Sequence, residues 1–424
     1  MTLNRREFIK WLSAGAGVAA IAGCAGTGGG ASAGRVVVIG AGFGGATAAK
    51  YVRMWAPDIE VTLIERNSEF VSCPISNLVL GGSKTLKDIT VSYDGLSKHG
   101  VRLVRDEALA VDPEKREVRL ASGTTLGYDR LIVSPGIDFM YETVPGLNSA
   151  DAQNRVPHAW KAGAQTVALR KQLEAMRDGG VYAIQFPKSP YRCPPGPYER
   201  ACQVAHYFKA AKPKSKVLIL DANEDVQSKK GLFMAAWNGP YKGMIEYRPN
   251  SELVDVDVKT LTAKLQFDNV KADVLNVVPP HGAGTIARQA GLITVNNRWC
   301  GVDWLTMESV KVKGVHVLGD ATLSAPAMPK SASMANQHAK VCAAAVIALI
   351  KGQSVNSAPM MVNTCYSFVD DKNVVHVASV HAYDAAQKTM TVVKGAAGLS
   401  DKANELEGAY ALGWASNIWA DALA

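Results

Sequence analysis

The sequence predicts an α/β chain of two Rossmann-like dinucleotide-binding domains followed by a small α+β C-terminal domain. Three observations predict it. A strand, a glycine fingerprint, a helix and a second strand ending in an acid follow one another over 35–65. A second strand, loop, helix and strand span 180–221 without that fingerprint. From 356 onward the pattern changes to alternating strands and an aromatic run at helical spacing. The predicted division is 1–33 as an address, 34–146 with 287–355 as the first domain, 147–286 as the second, and 356–424 as a C-terminal interface domain.

Composition excludes several classes. Of the 424 residues, 48% are apolar and 20% charged, which excludes a disordered chain. A net charge of +8, spread along the sequence, gives no argument for nucleic acid. Beyond the N-terminus no apolar run is long enough to span a bilayer. There are seven cysteines and no C-x-x-C, so zinc-ribbon, thioredoxin-type and haem-attachment readings fail. The histidines show no metal-ligand clustering, and no metal site is expected. Any haem belongs to another chain.

The first 33 residues read as an address. Asn4-Arg5-Arg6-Glu7-Phe8-Ile9-Lys10 has the pattern of a twin-arginine export signal, and a small-residue apolar stretch follows from Trp11 to Ala22. That route exports folded proteins to the periplasm, often with a cofactor already bound. Two processing readings stand side by side. Ala31-Ser32-Ala33 is an A-x-A cleavage site, and Ile21-Ala22-Gly23-Cys24 is a lipoprotein box, so membrane contact is expected only if Cys24 is lipidated.

The first element after the address is the strand Arg35 to Ile39. It runs into Gly40-Ala41-Gly42-Phe43-Gly44-Gly45, then a helix to Trp55 ended by Pro57, then a strand from Ile59 to Ile64 that stops at Glu65. Gly40 permits the tight turn, Gly42 lets the backbone approach a pyrophosphate, and Gly45 lets helix and strand pack closely. The helix N-terminus faces the phosphates. Glu65 is placed to accept hydrogen bonds from the adenosine ribose. Two later features favour FAD over NAD as the nucleotide. The strand Tyr128 to Ser134 enters a Pro135-Gly136 turn, and the strand Val315 to Leu318 ends in Gly319-Asp320, where an Asp can bind a ribityl chain.

The second domain opens with the strand Gly180 to Phe186. Pro187, Pro190, Pro194, Pro195 and Pro197 crowd the loop that follows. Proline has no N–H, so this loop is a poor phosphate cradle, but it is stiff enough to hold one side chain in fixed geometry. A helix starts near Pro197 and runs through Tyr207-Phe208. The next strand, Lys216 to Leu220, ends at Asp221. The βαβ order persists while its nicotinamide chemistry is gone. In the last domain, Val374 to Tyr383 and Thr389 to Val393 alternate like a hairpin. The aromatic run from Tyr410 to Trp419 reads by default as a core-facing helical stripe.

At this point the chain resembles a known family. Gly45-Ala46-Thr47-Ala48-Ala49-Lys50-Tyr51, Pro157-His158-Ala159-Trp160-Lys161-Ala162-Gly163, Arg192-Cys193-Pro194-Pro195-Gly196-Pro197-Tyr198-Glu199-Arg200, Met328-Pro329-Lys330-Ser331 and Asn363-Thr364-Cys365-Tyr366-Ser367 are its collinear segments. They resemble the flavoprotein subunit of flavocytochrome c sulfide dehydrogenase, a branch of the glutathione-reductase-like flavoproteins that includes the sulfide:quinone oxidoreductases. The resemblance implies oxidation of hydrosulfide to zero-valent sulfur or polysulfide, with electrons passing through FAD to a c-type cytochrome subunit.

It also implies roles for three cysteines. Cys73, in Cys73-Pro74-Ile75-Ser76-Asn77, falls where the family joins a cysteine covalently to the flavin 8α-methyl group; the structural alternative is a buried free cysteine. Cys193 and Cys365 fall on the redox-active disulfide, the alternative being a purely structural bridge in an exported protein. Hydrosulfide then attacks that disulfide, giving a persulfide and a thiolate. Glu199 is the candidate base, or simply a first-turn carboxylate that favours the helix dipole. Lys330 and the helix from Ser331 fall where the family points a helix N-terminus at the flavin N1–C2=O edge. Cys202, Cys300 and Cys342 read as packing residues, Cys300 in a loop. Two other functions compete: a sulfide:quinone oxidoreductase, and a non-catalytic flavin-bearing sulfur carrier.

Overall fold

The computed structural model describes residues 32–424; the paired-arginine segment and Cys24 lie outside them. The first β-branched run forms the strand Gly34–Ile39, central in a five-stranded parallel sheet. Ile59–Glu65 and then Arg102–Arg105 extend the sheet on one side. Arg130–Val133 and then Val315–Val317 extend it on the other. Parallel strands covered on both faces read as continuous apolar runs, as the buried Val36 to Ile39 do. The chain passes through the second sheet before it returns to supply the fifth strand.

The second sheet is also parallel, in the order Ile245–Arg248, Lys216–Asp221, Val181–Phe186, Val274–Val277. The helix expected near Pro197 is Gly196–Ala211, with proline in its first turn, where the missing N–H has no intrahelical partner to lose.

Near the C-terminus the expected hairpin is present as Val374–Asp384 paired antiparallel with Thr389–Leu399. A strand that the pattern did not reveal, Met360–Phe368, pairs on the other side and carries Cys365 opposite Val377. The helix Glu405–Leu423 follows, its N-cap Asn404 accepting from the Glu407 amide at 2.8 Å. The aromatic stripe is only partly buried: Trp414 and Trp419 are half-buried, and Trp419 packs against the core. The seam is Gly408, Ala411, Ala415, Ile418 and Ala422, while Tyr410 is 54% exposed. A Cβ on Gly408 would come within 2.0 Å of the Lys372 carbonyl, so the helix lies too close to its neighbour for large side chains in the seam. Cys202, Cys300 and Cys342 are fully buried core residues, and Cys300 sits in a short strand, Trp299–Cys300, rather than a loop.

One buried cation joins these parts. The Arg200 guanidinium donates to Asn77 Oδ1 at 3.1 Å, to the His158 carbonyl at 2.9 Å, to Asn276 Oδ1 at 3.0 Å and to the Ala159 carbonyl at 2.6 Å. It also lies 4.7 Å from the Trp160 ring centre. Its partners come from the Cys73 region, the 157–160 segment and the second sheet. Arg200→Met strands several buried acceptors at once and is expected to destabilise the protein by about 3 kcal/mol. The midpoint of urea unfolding at unchanged slope measures this.

Candidate active site

The glycine loop has the geometry its sequence demands. Gly40 has φ +89, and a Cβ on it would meet the Ser134 carbonyl at 2.5 Å. A Cβ on Gly45 would stand 1.8 Å from the Gly40 carbonyl. Gly42 is different: a Cβ there meets nothing within 4 Å, because the position faces open cavity at the N-cap of helix Phe43–Trp55. Glu65 ends its strand against this loop. It accepts from the Ala41 amide at 2.8 Å through one oxygen and from the Asn67 amide and side chain through the other.

All predicted site residues except Gly45 line one cavity of about 1390 Å³. It runs past Gly40, Gly42 and Glu65, the turn at Pro135 and Gly136, and Asp320, to Cys73, Cys193, Glu199, Lys330 and Cys365. Gly45 instead provides the close approach of helix to loop. Asp320 Oδ1 is buried with no hydrogen-bond partner, and burial raises the Asp320 pKa against the pull of Arg192 and Lys330. A buried acceptor left without a donor calls for one. Gly42, Glu65 and Asp320 thus offer a phosphate approach, a ribose acceptor and a free acceptor for a polyol hydroxyl, and these residues fit FAD.

The proline-rich loop is committed elsewhere. Its Ser189 amide donates to Asn223 Oδ1 at 2.9 Å, its Arg192 amide to His281 Nδ1 at 3.0 Å and its Cys193 amide to the Lys330 carbonyl at 2.9 Å. Asp221, at the end of the next strand, is saturated by Tyr198, Tyr247 and Asn223. Neither the loop amides nor that acid remain free for a nicotinamide nucleotide.

Cys73, Cys193 and Cys365 are the half-buried thiols of the described residues, and all three open on this cavity. They come from three separate parts of the chain. Cys193 has φ +60, a left-handed conformation that a non-glycine residue holds only where its surroundings impose it. A Cβ on Gly196 would collide with the Trp160 ring at 2.8 Å and the Cys193 sulfur at 3.0 Å, so this glycine makes room for that sulfur. Cys365 donates to Asn363 Oδ1 at 3.6 Å, which also accepts from the N-cap Ser331 at 2.8 Å. Burial pushes both thiols up, and each has the other's charge or Glu199 among its neighbours.

Glu199 is tied at both oxygens. One accepts from Asn77 Nδ2 at 2.9 Å and the other from the Phe368 amide at 2.9 Å. Burial raises its pKa, while these two donors pull it down. It therefore joins the Cys73 region to the Cys365 strand. The Lys330 ammonium donates to the Asp320 and Thr322 carbonyls and stands 3.8 Å from the Trp299 ring centre; burial lowers it to about 8.

Sequence reasoning missed Lys229. Its buried ammonium donates to the Cys365 carbonyl at 2.8 Å, Ser367 Oγ at 2.8 Å and the Val375 carbonyl at 3.2 Å. Burial lowers it to about 8, and Cys365, Glu199 and Cys193 oppose that shift. Its φ of +54 marks a constrained backbone, but no motif marks the position. Arg192 and Asn77 stand in the segments around Cys193 and Cys73, but sequence reasoning assigned them no role of their own.

Comparison with known proteins adds three family matches. Residues 166–279 match the central part of the sulfide dehydrogenase (flavocytochrome c) flavoprotein chain, and 357–423 match the flavin-binding part of flavocytochrome c sulphide dehydrogenase. Residues 34–174 match the pyridine nucleotide-disulphide oxidoreductases. A flavoprotein chain of sulfide dehydrogenase from Chlorobaculum thiosulfatiphilum is 60% identical over 45 residues, which cover 11% of this chain and 94% of that sequence. The mitochondrial sulfide:quinone oxidoreductase of Mus musculus is 24% identical over 320 residues, 72% of this chain and 68% of that one. The structure of the sulfide:quinone oxidoreductase from Aquifex aeolicus superposes with a TM-score of 0.72 at 17% identity, covering 92% and 91% of the two chains, and so shares the fold.

Three outcomes follow from the geometry. Gly45→Ala forces a methyl onto the Gly40 carbonyl and is expected to cost about 1–3 kcal/mol in thermal unfolding. Gly42→Ala leaves the melting temperature unchanged but reduces the flavin content of the purified protein, because its methyl occupies the phosphate approach. In Lys229→Met, the cation that favours a nearby thiolate is gone. The pH midpoint for iodoacetamide labelling of Cys365, resolved by peptide mass, is expected to rise by about one unit.

Proposed function

The chain belongs to the sulfide-oxidising flavoproteins, the group of the flavocytochrome c sulfide dehydrogenase flavoprotein chain and the sulfide:quinone oxidoreductases, and from that premise we propose that it is the cytochrome-linked dehydrogenase. It is an FAD flavoprotein that oxidises sulfide. The observation that carries the finer reading is the meeting of Cys73, Cys193 and Cys365 at one cavity that also holds the glycine loop and Asp320. The Cys73 reading adds a covalent bond to FAD. The Asn4 to Lys10 segment supports export to the periplasm, where a c-type cytochrome subunit receives the electrons.

In this reading hydrosulfide attacks one sulfur of a Cys193–Cys365 disulfide. A sulfur–sulfur bond forms to the substrate, the protein disulfide breaks, and a persulfide and a thiolate result. Bound FAD supplies the two-electron acceptor that later releases electrons singly. Lys229, charged at pH 7, favours the anionic sulfur at Cys365. Glu199, its pKa raised by burial, is suited to hold the proton that leaves the substrate. The sulfur departs as zero-valent sulfur or polysulfide, and the stiff loop returns Cys193 to its starting geometry.

A quinone-linked reading is favoured by the length of the match to the mitochondrial enzyme and by the exposed Leu406, Tyr410 and Leu412 on the last helix. No helix of the described residues is long and apolar enough to cross a membrane. The purified chain, given sulfide, is expected to reduce a c-type cytochrome. Cys193→Ser and Cys365→Ser are expected to slow this by about a hundredfold or more. Reduction of a soluble quinone with the cytochrome untouched would establish the quinone-linked reading, and unchanged turnover in Cys193→Ser would end the disulfide mechanism. Sulfide bound without reduction of either acceptor would point to the sulfur carrier.

A further inference from the structure

Cys73 has a neighbour that sulfide oxidation does not require. Arg192 Nη2 donates to the Cys73 sulfur at 3.4 Å and to the Trp160 carbonyl. The Trp160 ring N–H returns a bond to the Arg192 carbonyl at 3.0 Å, and the Arg192 amide is held by His281. Backbone and side chain are thus both fixed, and the guanidinium is held on the sulfur. Among the described residues no carboxylate forms an ion pair with it; Asp320 lies within electrostatic range without bonding it. Burial opposes the Arg192 charge, and Cys73, Asp320 and Cys193 together hold its pKa above the ordinary value. A cation in that position gains most when the thiol beside it is a thiolate.

The sulfur is also aimed. Cys73, Pro74, Ile75 and Ser76 line the same cavity as the glycine loop and Asp320. Ile75 has φ +71, unusual for a β-branched residue, and the loop around it is clamped. Ser76 Oγ donates to the Cys73 carbonyl at 2.6 Å, and Ser72 Oγ donates to the Pro74 carbonyl while accepting from Trp419 Nε1 at 3.0 Å. Cys202, Cys300 and Cys342 lie in the apolar core, where burial keeps them protonated.

We propose that Arg192 makes Cys73 the nucleophile by which this chain attaches its own flavin, with no separate attaching enzyme. The inference rests on the reading of Cys73 as the flavin anchor. The bond formed joins the Cys73 sulfur to the flavin methyl carbon. The S–H and one methyl C–H bond break, two protons leave, and two electrons remain on the flavin. The one-electron acceptor of turnover, a c-type haem, removes them. Arg192 touches the reacting sulfur and acts by stabilising the negative charge that forms as the S–H bond breaks.

The test uses the full chain produced under flavin starvation and incubated with FAD. Attached flavin is measured by intact mass and by flavin fluorescence in the acid-precipitated pellet, and bound but unattached flavin by its release on acidification. Wild type is expected to retain flavin in the pellet, and Cys73→Ser to release all of it. Arg192→Met is expected to bind FAD yet attach it about tenfold or more slowly at pH 7. Arg192→Lys, which keeps a cation and guards against a folding defect in the Met variant, is expected to fall between. Attachment in Arg192→Met at the wild-type rate, or a deficit matched by lost FAD binding, overturns the role of Arg192 while leaving the anchor intact. Flavin released wholly from wild type overturns the anchor itself, and the proposal with it.

Discussion

The site depends on one buried polar cluster. Asn77 donates to Glu199 through its amide nitrogen and accepts from Arg200 through its amide oxygen. Glu199 then reaches the Phe368 amide, and Arg200 reaches the 157–160 segment and Asn276. A carboxylate and a guanidinium on adjacent residues of one helix are thus each spent on a different part of the chain. Burying such charges is costly unless every lone pair and proton finds a partner. Here Glu199 has a donor at each oxygen and Arg200 makes four hydrogen bonds, and three chain segments that carry thiols are held in one fixed relation.

The loop at 187–195 shows how a nucleotide cradle becomes a sulfur mount. In the first domain the glycine loop turns Gly42 toward open space. In the second, the corresponding amides donate to Asn223, His281 and the Lys330 carbonyl. The topology of strand, loop, helix and strand is the same, so the difference lies in which groups the loop N–H bonds satisfy. Once they are satisfied internally, the loop is free to hold a sulfur with a left-handed backbone at Cys193.

The charge around the sulfurs is arranged in layers. Arg192 bonds the Cys73 sulfur, Lys229 lies behind Cys365, and Lys330 sits between Asp320 and Trp299. Lys229 and Lys330 are brought to about 8 by burial, low enough to respond to a new anion and high enough to remain charged at neutral pH. In the proposed mechanism the cavity passes through anionic sulfur states, which such cations favour, since a low dielectric strengthens each interaction.

The sequence by itself determined the parts whose geometry is local. Gly40 is required by its left-handed φ, Gly45 by its contact with the Gly40 carbonyl, Pro197 by the first turn of its helix, and the buried strands by their own apolar runs. The three cysteines that line the cavity were legible because each carries a distinctive local context. The tertiary structure alone decided what stands beside them. Arg192 meets Cys73 across 119 residues, Lys229 meets Cys365 across 136, and Glu199 meets Phe368 across 169. It also decided that the last helix fully buries a small-residue seam and leaves Tyr410 outside, because the approach to Lys372 is a property of the neighbouring turn and not of the helix. Local sterics act within a few residues and leave a pattern in the sequence. The field at a sulfur is the sum over groups that only packing brings together, and no spacing encodes it.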